Sequence, residues 1–258
     1  MSDTNATRAA PDRYRAPALD KGLDILELLA TEAGGLTRAE IVRAMGRSQS
    51  EIYRMLERLV ARGYVCRSRE GDRYALSMKL FLLVNEHPPV RRLVAQSQPL
   101  MDMFARTTLQ SLHLVVHEGP VAIVIAQASP PSNWEFRLRV GAQLDLLTTG
   151  SGETLLAFQD RARFLEMLPH AQSDPAQHDP ALWTRLETIR AAGHRSAPSR
   201  QLVGVRDISV PVLGPDGNAF AVLTCPYVKH LRPFREPALD VAGCLAQLKD
   251  LAAELALR

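Results

Sequence analysis

A run of small residues in the second half of the chain, Thr148-Thr149-Gly150-Ser151-Gly152, leads directly into a segment predicted to be helical. The first N–H groups of a helix have no intrahelical acceptor, and the helix dipole makes this end positive, so anions bind there. This loop is therefore a candidate site for a small carboxylate. The alternative is that the glycines only permit a tight turn and close packing. No Gly-Lys-Thr or Gly-Lys-Ser follows, which excludes a nucleotide-binding P-loop.

A different chemistry is indicated between Leu36 and Leu80, where ten Lys or Arg occur with only five Asp or Glu. Within this segment Ser50, Tyr53 and Arg54 recur at helical spacing, opposite an apolar stripe. A polar and basic outer face on one short helix suits the DNA major groove, which accepts a single helix. An ordinary solvated basic face is the alternative that composition leaves open.

Side chains for DNA contact are predicted on this helix and around it. Gln49 and Ser50, near the helix start, can reach base edges, whereas Arg58 lies further along and suits phosphate contact. Glu51 would repel phosphates, so we interpret it as a capping residue of the helix. The full set predicted to bind DNA is Thr37, Arg38, Gln49, Ser50, Tyr53, Arg54, Arg58, Arg67, Arg69 and Arg73.

The first element of this region is predicted from apolar spacing. Leu19, Leu23 and Leu26 recur at i, i+4, i+7, which indicates an amphipathic helix over residues 18–31. Ile25, Leu28 and Leu29 widen this stripe beyond what a three-helix module needs. We expect part of this apolar surface to lie in a dimer interface.

Two capping boxes and a hairpin complete the region. Thr37-Arg38-Ala39-Glu40 and Ser48-Gln49-Ser50-Glu51 each place a hydroxyl three residues before a glutamate, which is typical of a helix start. Alternating residues at 64–67 and 73–76 flank a polar turn and predict a β-hairpin. Three helices followed by a hairpin are typical of a winged helix-turn-helix.

The composition changes after the Asn85-Glu86-His87-Pro88-Pro89 stretch. Fifteen of the 17 prolines follow His87, and the segment from Arg91 to Arg258 is nearly neutral, with 17 basic and 16 acidic residues. A helix containing Pro99 is predicted first, and Pro99 should kink it or begin a second one. Strands are predicted at 112–117, 121–127, 134–140, 207–213 and 219–225, with helices at 151–158 and 182–192 and at the end of the chain. This mixture predicts an α+β fold.

Several other chemistries are disfavoured. His113 and His117 share one face of a predicted strand, but no Asp, Glu or Cys at ligand spacing accompanies them, so no metal or cofactor is predicted. Catalysis is not expected, since no Gly-x-Ser-x-Gly motif occurs. The three cysteines are far apart, no apolar run reaches about 18 residues, and the first 17 residues lack a signal-peptide core. We expect a cytoplasmic protein without membrane contact.

The segment from Ala18 to Leu80 resembles the N-terminal winged helix of the IclR-type bacterial transcriptional regulators. The segments TTGSGETLLAF and GVRDISVPVLGPDGNAFAVLTCP resemble the family's small-residue loop and its penultimate strand pair. The resemblance implies a winged helix-turn-helix joined by a helical linker to a GAF-like α/β sandwich. The expected parts are a disordered N-terminal arm at 1–16, a DNA-binding domain at 17–80, a linker helix at 81–107 and an effector-binding domain at 108–258.

The resemblance also implies that the loop and the two late strands line the effector site. The predicted effector-binding set is His113, Arg139, Thr149, Gly150, Ser151, Arg200, Asp207, Ser209, Thr224 and Pro226. Many relatives carry an acidic run where Arg200 lies here, and Asp207 takes a position that is often cysteine or another small residue. A carboxylate at Asp207 would repel a second ligand carboxylate unless Arg206, Arg200 or Arg139 pairs with it. We therefore expect a mono-anionic organic acid, with an aromatic body favoured by apolar surroundings.

These expectations together predict a ligand-responsive regulator that binds double-stranded operator DNA as a homodimer or homotetramer. A repressor is the kind of regulator expected. One recognition helix reads too few base pairs for operator-level specificity, so two half-sites are needed. The alternative is a small-molecule-binding or hydrolytic domain whose basic N-terminal module docks another macromolecule. Steep salt dependence together with sequence selectivity on duplex DNA would separate the two.

Overall fold

Three clusters of buried apolar side chains organise the chain. The computed structural model describes residues 16–68, 72–86, 88–132, 135–168, 181–229 and 239–256. One cluster lies in the first unit, residues 1–87, and the other two lie in the second unit, residues 88–258. Each unit therefore has its own core.

The first unit consists of short helices and a small three-stranded sheet. Its helices are α1 (Pro17–Ala30), α2 (Arg38–Met45), α3 (Gln49–Ala61) and α4 (Lys79–Glu86), and its strands are β1 (Leu36–Thr37), β2 (Val65–Arg67) and β3 (Arg73–Leu76). The strands pair antiparallel in the order β1-β3-β2. The predicted winged helix-turn-helix is confirmed.

Both predicted capping interactions form. The Thr37 N–H donates to Glu40 Oε2 at 2.7 Å, and the Glu40 N–H donates to Thr37 Oγ1 at 3.3 Å. At the start of α3, the Ser48 N–H and Oγ–H donate to Glu51 Oε2 at 3.3 and 2.6 Å. The Lys21 ammonium, which donates to Glu51, and then the two Ser48 bonds lower the pKa of Glu51 to about 2, so its capping role is supported.

The face of α1 that enters the core differs from the predicted stripe. Ile25 and Leu29 are buried, whereas Leu19 and Leu23 are exposed. The i, i+4 pair that packs is therefore Ile25 with Leu29, which sequence analysis had placed at the margin. Spacing alone could not distinguish the two because this helix is apolar over more than one face.

Strand β1 was not predicted. It has only two residues, and Leu36 pairs with Tyr74 of the hairpin. Gly35 makes this pairing possible: its φ is +64°, and a Cβ there would lie 2.6 Å from the Tyr74 carbonyl oxygen. Only glycine combines that backbone conformation with so close an approach.

The second unit is built on one antiparallel sheet of six strands in the order β6-β5-β4-β9-β8-β7. The strands are β4 (Leu112–Glu118), β5 (Val121–Ala128), β6 (Gln143–Asp145), β7 (Arg195–Pro198), β8 (Val205–Leu213) and β9 (Ala219–Val228). The described helices are α5 (Pro88–Thr108), α6 (Gly150–Ala157), α7 (Arg161–Met167), α8 (Leu182–Ala192) and α9 (Val241–Ala256). The predicted α+β class is confirmed.

Alternation along the strands creates two cores, one on each face of the sheet. Leu114 belongs to the core shared with α5 and α9, and its neighbour Val115 belongs to the core shared with α6, α7 and α8. The small-residue loop at the start of α6 therefore approaches the second face. All eight residues of α6 are buried, which fixes the helix firmly against the sheet.

Two expectations for this unit need correction. Residues 135–140 form no strand, and the third strand of the hairpin region is instead β6, Gln143–Asp145; Trp134, where the strand was predicted to begin, lies outside the described residues. Pro99 lies inside α5 and does not begin a new helix. Met101 and Phe104 of α5 are buried in the sheet core, so this part of the predicted linker helix packs as a structural layer of the second unit.

Candidate functional site

The start of α6 is held by its own capping residue. Thr149 Oγ1 accepts from the Gly152 N–H at 3.1 Å and donates to the Asp145 carbonyl oxygen at 2.7 Å. The N–H groups of Gly150 and Ser151 begin the helix and have no intrahelical acceptor. A Cβ at Gly152 would lie 2.4 Å from Leu146 Cα, so this glycine also serves close packing, as the alternative interpretation proposed.

A cavity of about 370 Å³ opens beside this helix end. Seven predicted effector-binding residues line it: His113, Thr149, Gly150, Ser151, Asp207, Thr224 and Pro226. The remaining lining combines apolar and polar side chains: Phe136, Leu138, Gln143, Leu144, Asp145, Ser199, Gln201 and Leu202. The cavity combines apolar surface with a group of buried polar side chains around Ser151, called the polar end below, which is typical of a small-molecule site.

The polar end contains a chain of buried hydroxyl groups and one imidazole. His113 Nε2 lies 3.2 Å from Ser151 Oγ, which lies 2.9 Å from Thr224 Oγ1. Thr224 Oγ1 donates to Ser209 Oγ at 2.9 Å, so Ser209 supports the site from behind without lining the cavity. Burial lowers the pKa of His113 to about 4, so the imidazole is neutral near pH 7.

A buried ion cluster lies next to this chain. Glu153, fully buried in α6, accepts from Arg185 at 2.8 Å, from Arg195 at 3.0 Å and from Arg200 at 2.9 Å. Arg200 was predicted to bind the effector, but it is not among the cavity-lining residues and instead contacts Glu153. Sequence analysis missed Arg185 and Arg195, since they come from distant segments with no motif of their own.

Asp207 joins the same cluster through an unexpected partner. Arg195 Nη1 lies 3.8 Å from Asp207 Oδ2, whereas Arg206 donates to the Ser196 carbonyl oxygen. The expectation that Arg206, Arg200 or Arg139 would pair with Asp207 is therefore not met among the described ion pairs. Desolvation raises the pKa of Asp207, although a hydrogen bond from Ser199 and the Arg195 charge oppose the shift.

The cluster also connects two carboxylates through one arginine. Glu153 and Asp207 both face the Arg195 guanidinium, one at Nε and the other at Nη1. Arg139, another predicted effector-binding residue, is exposed and is not among the residues that line the cavity. The charges beside the polar end therefore come from Glu153 on α6, Asp207 on β8, and arginines of α8, of β7 and of the segment that follows β7.

The Ser151–His113 contact also resembles the nucleophile and base of a hydrolase. Two observations disfavour that chemistry. Ser151 Oγ is shared with Thr224, and a histidine with a pKa near 4 is a weak general base at neutral pH. The same groups are well suited to donating and accepting hydrogen bonds with a bound molecule.

His113 and His117 both lie in β4. Within the described ranges, no group of three or more His, Cys, Asp or Glu is placed to hold a metal ion. None of the described helices is both long and apolar enough to span a membrane.

The outer face of α3 carries the predicted DNA-contacting side chains. Gln49, Ser50, Tyr53, Arg54 and Arg58 are all exposed, while the inner face buries its apolar residues in the first core. The helix is fixed at its start by the Glu51 cap, which leaves its first turn accessible. This is the geometry of a recognition helix.

The remaining predicted DNA-contacting residues are used partly within the unit. Arg73 Nη1 donates to the Gly35 carbonyl oxygen at 2.9 Å, and Thr37 caps α2. The guanidinium of Arg38 lies 5.6 Å from the centre of the Tyr53 ring, and that of Arg67 lies 5.7 Å from the Tyr74 ring. Arg69 lies outside the described residues.

A winged helix-turn-helix with an exposed recognition helix, in a chain that also contains a small-molecule cavity, defines a DNA-binding regulator of transcription. The family model of the IclR helix-turn-helix domain matches residues 18–69, and that of the bacterial transcriptional regulator IclR C-terminal region matches residues 90–249. The chain belongs to the IclR family of bacterial transcriptional regulators. It is a ligand-responsive DNA-binding protein, which disfavours the docking-module alternative.

Relatives are similar along most of their length. The HTH-type transcriptional regulator KdgR of Escherichia coli K12 is 27% identical over 213 residues, which cover 80% of each chain. The acetate operon repressor of Salmonella typhimurium is 22% identical over 95% of this chain and 86% of its own. An IclR homologue from Microbacterium hydrocarbonoxydans, solved with 4-hydroxybenzoate, has the same fold at 22% identity, with a TM-score of 0.72 over 93% of this chain and 98% of its own.

Proposed function

We propose that the second unit binds a small organic acid in the cavity at the start of α6, and that this acid changes the affinity of the first unit for operator DNA. The observation that carries the proposal is the polar end of the cavity, where the Ser151 and Thr224 hydroxyls lie beside the start of α6, which lines the cavity. Helix N–H groups and hydroxyls can hold one carboxylate, and the apolar walls suit an aromatic or aliphatic body.

The ligand seen in one solved relative supports this class of effector. That homologue was solved with 4-hydroxybenzoate, which is an aromatic monocarboxylate. In this chain Phe136, Leu138 and Leu144 supply apolar surface, and His113 is neutral and can donate or accept one hydrogen bond. We therefore place the carboxylate at Ser151 and the ring against the apolar wall.

We further propose that the protein acts as a homodimer in the bacterial cytoplasm and represses transcription, as the acetate operon repressor does by name. Two recognition helices are needed to read two half-sites. The first unit exposes large apolar side chains that a partner copy could cover, among them Leu19, Leu23, Met78, Phe81, Leu82, Leu83 and Val84. Assembly into tetramers through the second unit remains a further expectation.

DNA binding is tested by fluorescence anisotropy on the intergenic DNA beside the gene, with scrambled DNA of equal length as control. Specific binding should survive physiological salt. The effector is tested in the same assay by adding 4-hydroxybenzoate, benzoate and aliphatic monocarboxylates. A true effector should change the dissociation constant for DNA at least about fivefold, since allosteric coupling commonly has this size.

A pair of threonine variants locates the effector. Thr224→Val should weaken effector binding about fivefold because it breaks the hydroxyl chain to Ser151, and one hydrogen bond contributes about 1 kcal/mol. Thr188→Val is the matched control, since Thr188 is exposed on α8 away from the cavity lining. If both variants changed the effector affinity by the same factor, the proposed site would be contradicted.

We also propose that the chain is not an enzyme. The Ser151–His113 pair is the only described arrangement that suggests a nucleophile, and the low pKa of His113 makes it a poor base. The purified protein should therefore give neither a burst nor turnover with p-nitrophenyl acetate. Hydrolysis that Ser151→Ala abolishes would overturn this proposal.

A further inference from the structure

Asp207 brings a carboxylate into a cavity that we propose receives another carboxylate. It lies on β8 directly against the start of α6, because a Cβ at position 150 would be only 2.9 Å from Asp207 Cβ. Glycine at position 150 allows this approach. The carboxylate of Asp207 therefore lies beside the same helix end that attracts anions.

The cation next to Asp207 does not neutralise it through a close hydrogen bond. Arg195 Nη1 lies 3.8 Å from Asp207 Oδ2, which is too long for a hydrogen bond, and this buried nitrogen has no hydrogen-bond partner among the described residues. The guanidinium is held in place by its Nε, which donates to Glu153 at 3.0 Å. Asp207 thus keeps a fixed, charged neighbour while most of its acceptor capacity remains unused.

The surroundings of Asp207 leave that capacity directed at the cavity. Ser199 supplies one hydrogen bond to the carboxylate, which has about four acceptor positions. The cavity-lining residues in the described part of the chain include no Lys or Arg, but they do include Asp145 as a second carboxylate. A ligand group next to Asp207 is therefore favoured if it donates a hydrogen bond and opposed if it carries negative charge.

We propose that Asp207 determines effector specificity: it accepts a hydrogen bond from a hydroxyl group of the ligand and rejects a second carboxylate. The effector is then a hydroxylated monocarboxylic acid. This inference rests on the proposed function, because it refines the ligand class of the same cavity. Gly150 and Arg195 act as positioning residues, one by leaving space for the carboxylate and the other by fixing its charge environment.

The test is calorimetric titration of the full-length protein with four probes of similar size: 4-hydroxybenzoate, benzoate, terephthalate and 4-hydroxybenzyl alcohol. The wild-type protein should bind 4-hydroxybenzoate at least tenfold more tightly than benzoate, and terephthalate most weakly. Asp207→Asn keeps the shape of the side chain and removes its charge, so the affinity for terephthalate should rise at least tenfold. Asp207→Ala removes the acceptor, so the preference for 4-hydroxybenzoate over benzoate should disappear.

Asp216→Asn is the matched control, since Asp216 is exposed and pairs with Arg163 outside the cavity lining. It should leave all four affinities within twofold of wild type. Misfolding cannot raise the affinity for terephthalate, so the Asp207→Asn variant remains informative even if it is less stable. Binding of the acids with unchanged ratios in both Asp207 variants would overturn the Asp207 inference alone. No binding of any acid by the wild-type protein would overturn the organic-acid proposal and the inference with it.

Discussion

Burial shifts the two titratable side chains at the polar end of the cavity in opposite directions. Desolvation lowers the pKa of His113 to about 4 and raises the pKa of Asp207, so in both cases it favours the neutral form. Neither shift is visible in the sequence, because a strand histidine and a strand aspartate can face solvent equally well. The roles proposed for them depend on Ser151, which is 38 residues from His113, and on Arg195 of the neighbouring strand β7.

The shift at His113 predicts acid sensitivity of the second unit. A histidine with a folded-state pKa below its unfolded value of about 6.5 contributes stability above that pH and loses it as pH falls toward 4. The loss attributable to His113 should be about 2 kcal/mol between pH 7 and pH 5. Urea unfolding followed by tryptophan fluorescence measures it, since Trp134 and Trp183 both lie in the second unit.

The comparison variant is His113→Gln, which cannot titrate in this range. Its free energy of unfolding should change about 2 kcal/mol less than that of wild type over the same pH interval. The raised pKa of Asp207 changes the free energy of unfolding in the opposite direction as pH falls. Because Asp207 is present in both proteins, its contribution cancels when the two pH profiles are subtracted. Parallel pH profiles for the two proteins would show that His113 is not buried in its neutral form.

At the scale of elements, the capping signals predicted local structure, whereas contacts between distant segments left no signal in the sequence. The two capping boxes predicted the starts of α2 and α3 because a hydroxyl and a glutamate three residues apart interact within one turn. Strands β1, β6 and β7 have only two to four residues, too few to show a period, and their positions depend on partners elsewhere in the chain. The cavity is bounded partly by such segments, so its shape could not be predicted.

The exposed outer face of α3 allows a separate prediction for DNA binding. Arg54 is exposed on its outer face, and removing one phosphate contact should reduce the slope of log affinity against log salt by about 1. Arg54→Ala should therefore weaken binding to specific and scrambled DNA by similar factors. Arg161→Ala, an exposed arginine of α7 in the second unit, is the control and should leave the slope unchanged. A selective loss on the specific DNA would instead assign Arg54 to base contact.

At the scale of the whole molecule, the sequence indicated two parts through charge and proline content, and each has its own core. What composition could not indicate is which apolar side chains remain exposed after folding. On α4 the side chains of Phe81, Leu82 and Val84 are each more than half exposed, at 58%, 55% and 63%. A helix this apolar is normally covered by a partner.

A charge placed on α4 should therefore weaken self-association. Val84→Lys is expected to shift the protein from dimer toward monomer in light scattering coupled to size-exclusion chromatography, because a buried ammonium without a partner is strongly unfavourable. Leu165→Lys is matched in type and exposure, since Leu165 is 57% exposed on α7. Equal dimer content in both variants would move the interface away from α4.

The ion cluster around Glu153 has a consequence for how the second unit assembles. Its three guanidiniums come from positions 32, 42 and 47 residues further along the chain, so the cluster forms only when helix, strand and loop have all reached their final places. Closing such long loops is slow and entropically costly before the contacts form. We therefore expect the chamber beside this cluster to form late in folding. If the proposed effector binds there, it selects the completed domain, so the molecule that changes DNA binding would also protect the second unit from unfolding.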